Sequence, residues 1–167
     1  GNNILSTQRL LEAAKNSTIK NFVYASSSSV YGNTHDLPMR ESSRPIPYSP
    51  YGVTKLAAEH LCELYRHNFD VPPISLRYFT VYGPRQRPDM GFNRFIRMLL
   101  AKEVIPVYGD GEQTRDFTYI SDIVEANLLA GTVDATGVFN IAGGSRVTLN
   151  DIFRLLENIS GKELNLE

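Results

Sequence analysis

The sequence has little of what marks a secreted or membrane-embedded chain. It contains one cysteine, Cys62, in a helical pattern, so no disulfide can form within the chain, and a small buried apolar group in a reducing compartment is expected. No run of about 18 apolar residues occurs, so no segment is predicted to span a bilayer. The first residues do not resemble a secretory signal. We therefore expect a cytoplasmic protein that has no membrane partner.

An excess of charge of one sign is also missing. The 17 Lys and Arg residues nearly balance the 18 Asp and Glu residues, for a formal net charge of -1, and no block of like charges occurs. Proteins that bind nucleic acids carry a basic patch, so no nucleic-acid partner is predicted. The 3 histidines are scattered without metal-ligand spacing, and no metal site is predicted. A small molecule is the expected partner.

Helix and strand signals alternate through the first half of the chain. Residues 3–16 carry an amphipathic helical pattern, and residues 19–25 are a β-branched and aromatic run that is typical of a buried strand. A helix is predicted over residues 49–68, where Ser49 precedes a proline and can cap the first turn. Residues 72–79 predict the next strand. Strand, helix and strand in this order predict an α/β fold with a Rossmann-like parallel sheet.

The pattern changes after residue 80. The predicted elements are a turn-rich loop at VYGPRQRPDMG, a helix at FNRFIRMLLAKE, short strands near 105–108 and 115–118, a helix at SDIVEANLLAG, a strand at GVFNIAG and a helix at TLNDIFRLLENIS. Ser121 or Asp122 is expected to cap the helix that Gly131 ends. This half predicts a small α+β region beside the parallel sheet.

The stretch YSPYGVTK sets a tyrosine and a lysine one helical turn apart. Tyr51 and Lys55 are separated by four positions, so both side chains share a helix face and can point into one cleft. Such a pair alone is usually a half-buried tyrosine and a solvated lysine. Its surroundings change that weighting, because the segment ASSSSVYG puts Ser26 to Ser29 directly after a predicted strand, where open α/β sheets bind ligands.

Two later segments add hydroxyl and basic groups. The segment RYFTVYGPRQRP follows the next predicted strand and carries Thr80, Arg85 and Arg87 at the same edge of the sheet. The segment GDGEQTRDFTYISD sets Arg115 beside a glycine turn, and a guanidinium is shaped to bind phosphate through two hydrogen bonds. These strand ends are therefore predicted to converge on one crevice.

The ordered set SSSSVYG, YGVTK, RYFTVYGPRQRPDM and YGDGEQTRDFTYISD resembles the extended short-chain dehydrogenase/reductase family, specifically its NAD-dependent nucleotide-sugar epimerases and dehydratases. The resemblance covers essentially all 167 residues. It implies NAD as the cofactor, Tyr51 as the general base, Lys55 as the residue that binds the nicotinamide ribose and favours loss of the tyrosine proton, and Ser27 as the hydroxyl that holds the reacting sugar oxygen. A free tyrosine titrates at about pH 10, so catalysis at neutral pH requires such help.

The resemblance also implies which residues bind the ligands. The implied cofactor-binding residues are Asn3, Ser26, Tyr51, Lys55 and Tyr78. The implied substrate-binding residues are Ser28, Ser29, Thr80, Arg85, Arg87, Phe92, Tyr108 and Arg115. Three roles stay open at this point. Arg87 can bind a sugar carboxylate or a pyrophosphate, or lie on the surface; Phe92 can be core or pocket wall, or lie near a uracil; Tyr108 can border the nucleotide base or pack in the core.

The implied reaction is 4-epimerisation of a UDP-sugar. Tyr51 takes the proton of a sugar hydroxyl while hydride passes to NAD, a 4-keto sugar forms and turns, and hydride returns to the opposite face. Ser28 and Ser29 stand where family dehydratases and decarboxylases carry acidic groups, which favours an epimerase. Thr80 and GPRQRPDM resemble the branch that handles UDP-glucuronate, with UDP-glucose or UDP-galactose as the other substrate choice. A 4,6-dehydratase, a UDP-glucuronate decarboxylase and a non-catalytic nucleotide-sugar sensor are the alternatives.

The sequence departs from the family at its start, because it has no initial methionine and no Gly-rich phosphate-binding turn. We expect a piece of an enzyme of about twice this length, and the piece alone is expected to bind NAD poorly and to be inactive. Residues 1–80 are expected to be the C-terminal portion of the NAD-binding Rossmann domain. Residues 81–167 are expected to be mostly the substrate-binding region, with 115–140 partly returning to the Rossmann sheet. A homodimer through helices 3–16 and 49–68 is also expected.

Overall fold

The computed structural model describes residues 3–34 and 36–167. His35, one of the histidines for which no ligand role is predicted, lies outside these ranges. The described residues form two units, one of which extends up to Phe79 and includes Ser121–Ile141, while the other comprises Thr80–Ile120 and Ala142–Glu167. Within the described ranges, no helix has both the length and the apolar character needed to cross a membrane.

The elements follow one another in an alternating order. The helices are α1 Ile4–Ala14, α2 Pro50–Phe69, α3 Gly91–Ala101, α4 Ile120–Ala130 and α5 Leu149–Ser160, with a short 3-10 helix at Ser28–Val30. The strands are β1 Phe22–Ser27, β2 Pro73–Tyr78, β3 Thr80–Tyr82, β4 Val104–Ile105, β5 Thr114–Arg115, β6 Phe117–Tyr119, β7 Gly137–Ile141, β8 Val147–Thr148 and β9 Asn165–Leu166.

The first unit is built on a three-stranded parallel sheet with the order β1-β2-β7. In its register Phe22 lies beside Pro73, and Ile74 lies beside Gly137. Strand β2 is buried along nearly all of its length, as expected for a parallel sheet that is covered on both faces. This arrangement confirms the predicted α/β fold class with a parallel sheet.

Two apolar clusters bury the two faces of this sheet. On one face, helices α1 and α2 pack against β1 through Leu11, Ala14, Tyr24, Ala58, Cys62, Tyr65 and Val71. On the other face, helix α4 packs against β2 and β7 through Ile74, Leu76, Ala130, Val23, Tyr78, Ala126 and Ile141. Burial raises the pKa of the Cys62 thiol to about 12, so this cysteine stays protonated and serves as a small core residue, as predicted.

Helix α2 begins where the sequence predicts. The Ser49 hydroxyl accepts a hydrogen bond from the Gly52 backbone N–H at 3.1 Å, and Pro50 occupies the first helical position, where its missing N–H costs nothing. The helix ends at Asp70 in the left-handed conformation. The N-terminal turn of α2 therefore carries Tyr51, and the second turn carries Lys55.

The second unit contains three small strand pairs. Strands β3 and β6 pair in parallel, as do β4 and β9, whereas β5 and β8 are antiparallel. Tyr82, Phe92, Phe117 and Tyr119 form an aromatic cluster with ring centroids 5.0 to 6.2 Å apart in the contacting pairs. Helix α5 starts with a reciprocal pair of hydrogen bonds between Thr148 and Asp151, which is the capping-box arrangement.

Some element boundaries predicted from the sequence are wrong. Strand β1 starts at Phe22, later than the predicted start at about residue 19, because its partner β2 begins only at Pro73, which lies beside Phe22 in the register. Helix α4 already begins at Ile120, so Ser121 and Asp122 lie inside its first turn and do not cap it. The predicted loop after residue 80 begins with strand β3, which pairs with β6.

Candidate active site

Lys55 is anchored at the carboxyl-end half of strand β1. Its Nζ donates a hydrogen bond of 2.8 Å to the carbonyl oxygen of Ala25 and lies 5.3 Å from the centroid of the Tyr24 ring. The same Nζ lies 5.7 Å from the centroid of the Tyr51 ring, so the two side chains share one face of α2, as their spacing predicts. Burial lowers the pKa of Lys55, because desolvation disfavours the charged ammonium. The Tyr51 side chain remains half-exposed at 51%.

Ser27 is buried and oriented by the loop that follows it. Its Oγ accepts a hydrogen bond from the Ser29 backbone N–H at 3.2 Å and caps the 3-10 helix. The same hydroxyl donates to the Ser29 Oγ at 3.1 Å. Because the loop folds back onto Ser27, this hydroxyl has a fixed position rather than the freedom of a surface serine.

Residues 27–31, which we call the serine loop, and the start of α2 are in direct contact at Gly52. A Cβ atom at this position would lie 2.5 Å from the Ser29 carbonyl oxygen and 3.0 Å from the Cβ of Pro47. Only glycine allows the backbone of the helix to approach the loop this closely. The structure thus brings the loop of Ser27 together with Tyr51 and Lys55 in the first unit.

A buried polar network beneath these residues was not found by sequence reasoning. Arg77 and Glu59 form an ion pair in which both side chains are almost fully buried, at 4% and 5% exposure, with an Nη2 to Oε2 distance of 2.7 Å. The Arg77 Nη1 also donates to the Tyr31 hydroxyl at 2.8 Å. Two signals could have revealed the pair. Glu59 follows Lys55 by one further helical turn, and Arg77 is a charged residue within the buried strand β2.

The remaining predicted cofactor residues have defined partners in the first unit. The Asn3 amide donates to the Thr54 hydroxyl at 2.9 Å, which places it against α2 next to Lys55. The Tyr78 hydroxyl donates to Asn127 Oδ1 at 2.8 Å, and burial raises the pKa of Tyr78. The Ser26 hydroxyl is buried and donates to Glu59, so a contact between Ser26 and a cofactor would use its main chain.

The predicted substrate residues outside the serine loop belong to the second unit. Thr80 starts β3, where its backbone N–H donates to the Asp116 carbonyl at 3.1 Å. Arg85 has a left-handed backbone with φ of 66° and lines a cavity of about 640 Å³ against α3. Arg87 is exposed and pairs with Asp89 at 2.8 Å. Tyr51, Lys55 and Ser27 do not line this cavity.

The structure shows the surroundings of three further predicted substrate residues, which all belong to the second unit. Phe92 packs against Tyr82 and Phe117 with ring centroids 5.1 and 5.0 Å apart, so it belongs to the aromatic cluster. Tyr108 is 79% exposed, so of its two alternatives core packing is excluded, and a place beside the nucleotide base stays a prediction. Arg115 is exposed on β5, and its Nη1 donates to the Thr114 carbonyl at 2.9 Å. The roles of these residues toward a substrate stay predictions.

A parallel strand that ends in a serine loop, followed by a helix that presents tyrosine and lysine one turn apart, defines a protein of the short-chain dehydrogenase/reductase type. The family model of the NAD dependent epimerase/dehydratase family matches residues 1–142. The chain belongs to this family.

Individual relatives agree with this membership. The chain is 46% identical over 98% of its length to a Bacillus subtilis protein named as an uncharacterized UDP-glucose epimerase, YtcB. It is 39% identical over 99% of its length to a UDP-glucuronate 4-epimerase of Thermodesulfobacterium geofontis. A crystal structure of UDP-glucuronic acid 4-epimerase from Bacillus cereus, in complex with UDP-glucuronic acid and NAD, superposes on 99% of the chain with a TM-score of 0.94 and 48% identity. The chain spans 52%, 51% and 53% of these three proteins, about half of each.

We predict that Gly52→Ala destabilises the protein by about 1–3 kcal/mol, because the new Cβ overpacks the joint between the serine loop and α2. The matched control is Gly91→Ala at the first position of α3, where the nearest atom would be a Phe95 ring carbon at 3.4 Å, an ordinary contact. Urea denaturation of both variants checks the difference. Equal stability of the two variants would show that the loop and the helix do not touch at Gly52.

Proposed function

We propose that the enzyme containing this chain is an NAD-dependent UDP-sugar 4-epimerase, acting on UDP-glucuronate or on UDP-glucose and UDP-galactose through a transient 4-keto intermediate. The observation that carries the proposal is the anchored Lys55 beside the half-exposed Tyr51, with the oriented Ser27 hydroxyl in the adjoining loop. The names of the related epimerases support the same reaction.

Each of the three residues has a chemical task that fits its environment. Tyr51 lies in the first turn of α2 with half of its surface exposed, so its ionised form, the phenolate, can accept the proton of a sugar hydroxyl and become a neutral phenol. Lys55 uses one of its three N–H donors on Ala25, which leaves two for ribose hydroxyls or for the phenol. Ser27 presents an oriented hydroxyl to the reacting sugar oxygen. These tasks need no additional acid or base.

The residues of the first unit fit the nicotinamide end of NAD. Lys55 with its two remaining donors, and Asn3 against the neighbouring Thr54, would hold the ribose side of the cofactor. When bound, NAD would supply the hydride acceptor and donor for C4 of the sugar. The Gly-rich turn that binds the pyrophosphate in this family is not among the 167 residues. A turn outside these residues would therefore have to provide it.

The serine loop favours epimerisation over elimination. A dehydratase or a decarboxylase needs a further acid or base to act on the carbon next to the keto group. Ser28 and Ser29 offer hydroxyls instead, and both lie in the short 3-10 helix that Ser27 caps.

The alternative functions differ in their products. In an assay with sugar nucleotides, loss of water from the substrate would identify a dehydratase, and loss of carbon dioxide would identify a decarboxylase. Binding without any NADH absorbance change would identify a non-catalytic sensor.

We predict that the full-length enzyme interconverts C4 epimers without consuming added NAD and that Tyr51→Phe lowers kcat by at least about 100-fold, because the general base is lost. The matched control is Tyr48→Phe, which removes a hydroxyl from a 78% exposed tyrosine in the same segment and leaves kcat unchanged. NMR identification of the products from a panel of UDP-sugars measures both. Full activity of Tyr51→Phe would exclude the assignment of the base.

Arg87 is proposed to bind the carboxylate of UDP-glucuronate, together with Thr80. Its pairing with Asp89 is highly exposed, with 74% and 67% of the side chains accessible, and such surface pairs contribute little and exchange partners easily. A guanidinium forks onto a carboxylate through two hydrogen bonds. Arg87 can therefore leave Asp89 at little cost in free energy and bind a charged substrate instead.

We predict that Arg87→Met lowers kcat/KM for UDP-glucuronate by at least about tenfold and leaves kcat/KM for UDP-glucose within about threefold, because a hydrogen bond to a charged group contributes roughly 1.5–3 kcal/mol. Arg154→Met is the control, since Arg154 is 72% exposed and likewise pairs with an aspartate. Equal losses for both substrates would instead assign Arg87 to the pyrophosphate that they share. No loss for either would make it a surface residue.

A homodimer through α1 and α2 is part of the proposal. Large apolar side chains are exposed on these helices, with Leu10 at 61%, Val53 at 51% and Leu64 at 47%. Val53 and Leu64 are eleven positions apart, which is close to three full helical turns, so both lie on one stripe of α2. A cytoplasmic location is also part of the proposal. The unpaired, buried Cys62 supports it, because thiols stay reduced in the cytoplasm.

We predict that the pair of changes Val53→Glu and Leu64→Glu converts a dimer into a monomer, because two carboxylates would be desolvated in the interface. Light scattering after size-exclusion chromatography measures the mass. The control pair is Leu155→Glu and Ile159→Glu on α5, where the exposed fractions are 50% and 75%. Loss of the dimer in the control pair as well, or a wild-type monomer, would refute this interface.

A further inference from the structure

We propose that Arg77 is a positioning residue, whose single buried guanidinium holds both the helix that carries Tyr51 and Lys55 and the loop that carries Ser27. The inference rests on the proposed function, because the groups that it positions are the proposed catalytic ones. Arg77 lies near the carboxyl end of β2, between β1 and β7. It thus projects from the central strand of the sheet of the first unit.

One edge of the guanidinium binds helix α2. The Arg77 Nε donates to Glu59 Oε1 at 3.0 Å, and Nη2 donates to Glu59 Oε2 at 2.7 Å, so the pair is bidentate. The Ser26 hydroxyl donates to the same carboxylate from β1. A carboxylate that receives three donors from two strands fixes the height of α2 above the sheet.

The other arm of the guanidinium binds the end of the serine loop. The Arg77 Nη1 donates to the Tyr31 hydroxyl at 2.8 Å, and the guanidinium carbon lies 4.7 Å from the centroid of the Tyr31 ring. Tyr31 is 1% exposed and directly follows the 3-10 helix that Ser27 caps. Its hydroxyl donates in turn to Asn140 Oδ1 on β7 at 2.7 Å. The loop is therefore held from the same side chain that holds the helix.

Helix α2 contacts β1 and the loop after it at three positions. Glu59 accepts from Ser26, Lys55 one turn earlier donates to Ala25, and Gly52 at the start of the helix lies against Ser29. If Glu59 lost its position, the helix could slide or tilt, and both other contacts would shift. A displacement of about 1 Å at reacting groups can cost on the order of 100-fold in rate.

The chemistry of the pair argues for positioning rather than for stability alone. Two buried charges lose their hydration, and an apolar pair of similar volume is often as stable or more stable. Only arginine has a planar fork of five donors that can serve Glu59 and Tyr31 at once. A lysine at this position would have to choose between the helix and the loop.

The test compares Arg77→Lys and Tyr31→Phe in the full-length enzyme with NAD and a UDP-sugar that the wild type converts. Tyr31→Phe keeps the ring and removes one hydrogen-bonding hydroxyl, so it is informative even if Arg77→Lys fails to fold. The control is Arg66→Lys, because Arg66 pairs with Glu63 on the outer side of the same helix. Steady-state kinetics and backbone hydrogen exchange are measured for all three.

We expect Arg77→Lys to lower kcat by about tenfold or more and Tyr31→Phe to lower it by about threefold or more, with KM for the UDP-sugar within about twofold of wild type. In both variants the amides of residues 28–31 and 51–55 should exchange faster together, whereas Arg66→Lys should change neither measurement. A lower melting temperature with unchanged kcat in both variants would overturn the inference and leave a structural role only.

The hydrogen-exchange result separates this inference from the proposed function. If the wild-type enzyme converts no UDP-sugar, the proposed function fails, and exchange alone then decides the positioning role. Faster exchange in both segments would support coupling through Arg77. Faster exchange in one segment only, or in neither, would overturn it.

Discussion

The structure of the first unit depends on the contact between helix α2 and strand β1. Apolar packing through Tyr24, Ala58 and Cys62 brings the helix onto the sheet, and this burial supplies most of the favourable free energy. Apolar contacts are not directional, however, so they would allow the helix to shift along the strand by a fraction of a turn. The hydrogen bonds of Lys55 and Glu59 to β1 remove that freedom.

This constraint explains how an ordinary amphipathic helix can carry a candidate active site. The proline and the serine cap fix where α2 begins, and the glycine at position 52 lets that beginning touch the serine loop. Tyr51 then lies on the exposed side of the joint, whereas Lys55 is drawn inward to the Ala25 carbonyl. A half-exposed tyrosine and a partly buried, hydrogen-bonded lysine one turn apart suit the proposed base, which must meet the substrate, and the proposed cation, which must stay in place.

Local signals made this part of the molecule predictable from sequence. The Ser49 cap, the spacing of Tyr51 and Lys55, and the strand signal in PPISLRYF each depend on residues within a few positions of one another. The ordered motifs then pointed to the family as a whole. The start of β1 is harder to predict, because it depends on the register with β2, in which Phe22 lies beside Pro73, a residue distant in sequence. The Arg77 network is likewise not predictable from local patterns, because Tyr31, Glu59 and Asn140 are distant in sequence and come together only in the folded unit.

The sheet order places β1 at an edge, since among the described residues it pairs with β2 alone. A strand with an open side offers a row of backbone donors and acceptors to any other extended segment. The order of this sheet therefore leaves room for a further strand beside β1, and such a strand would pair with the backbone groups that β1 presents on that side.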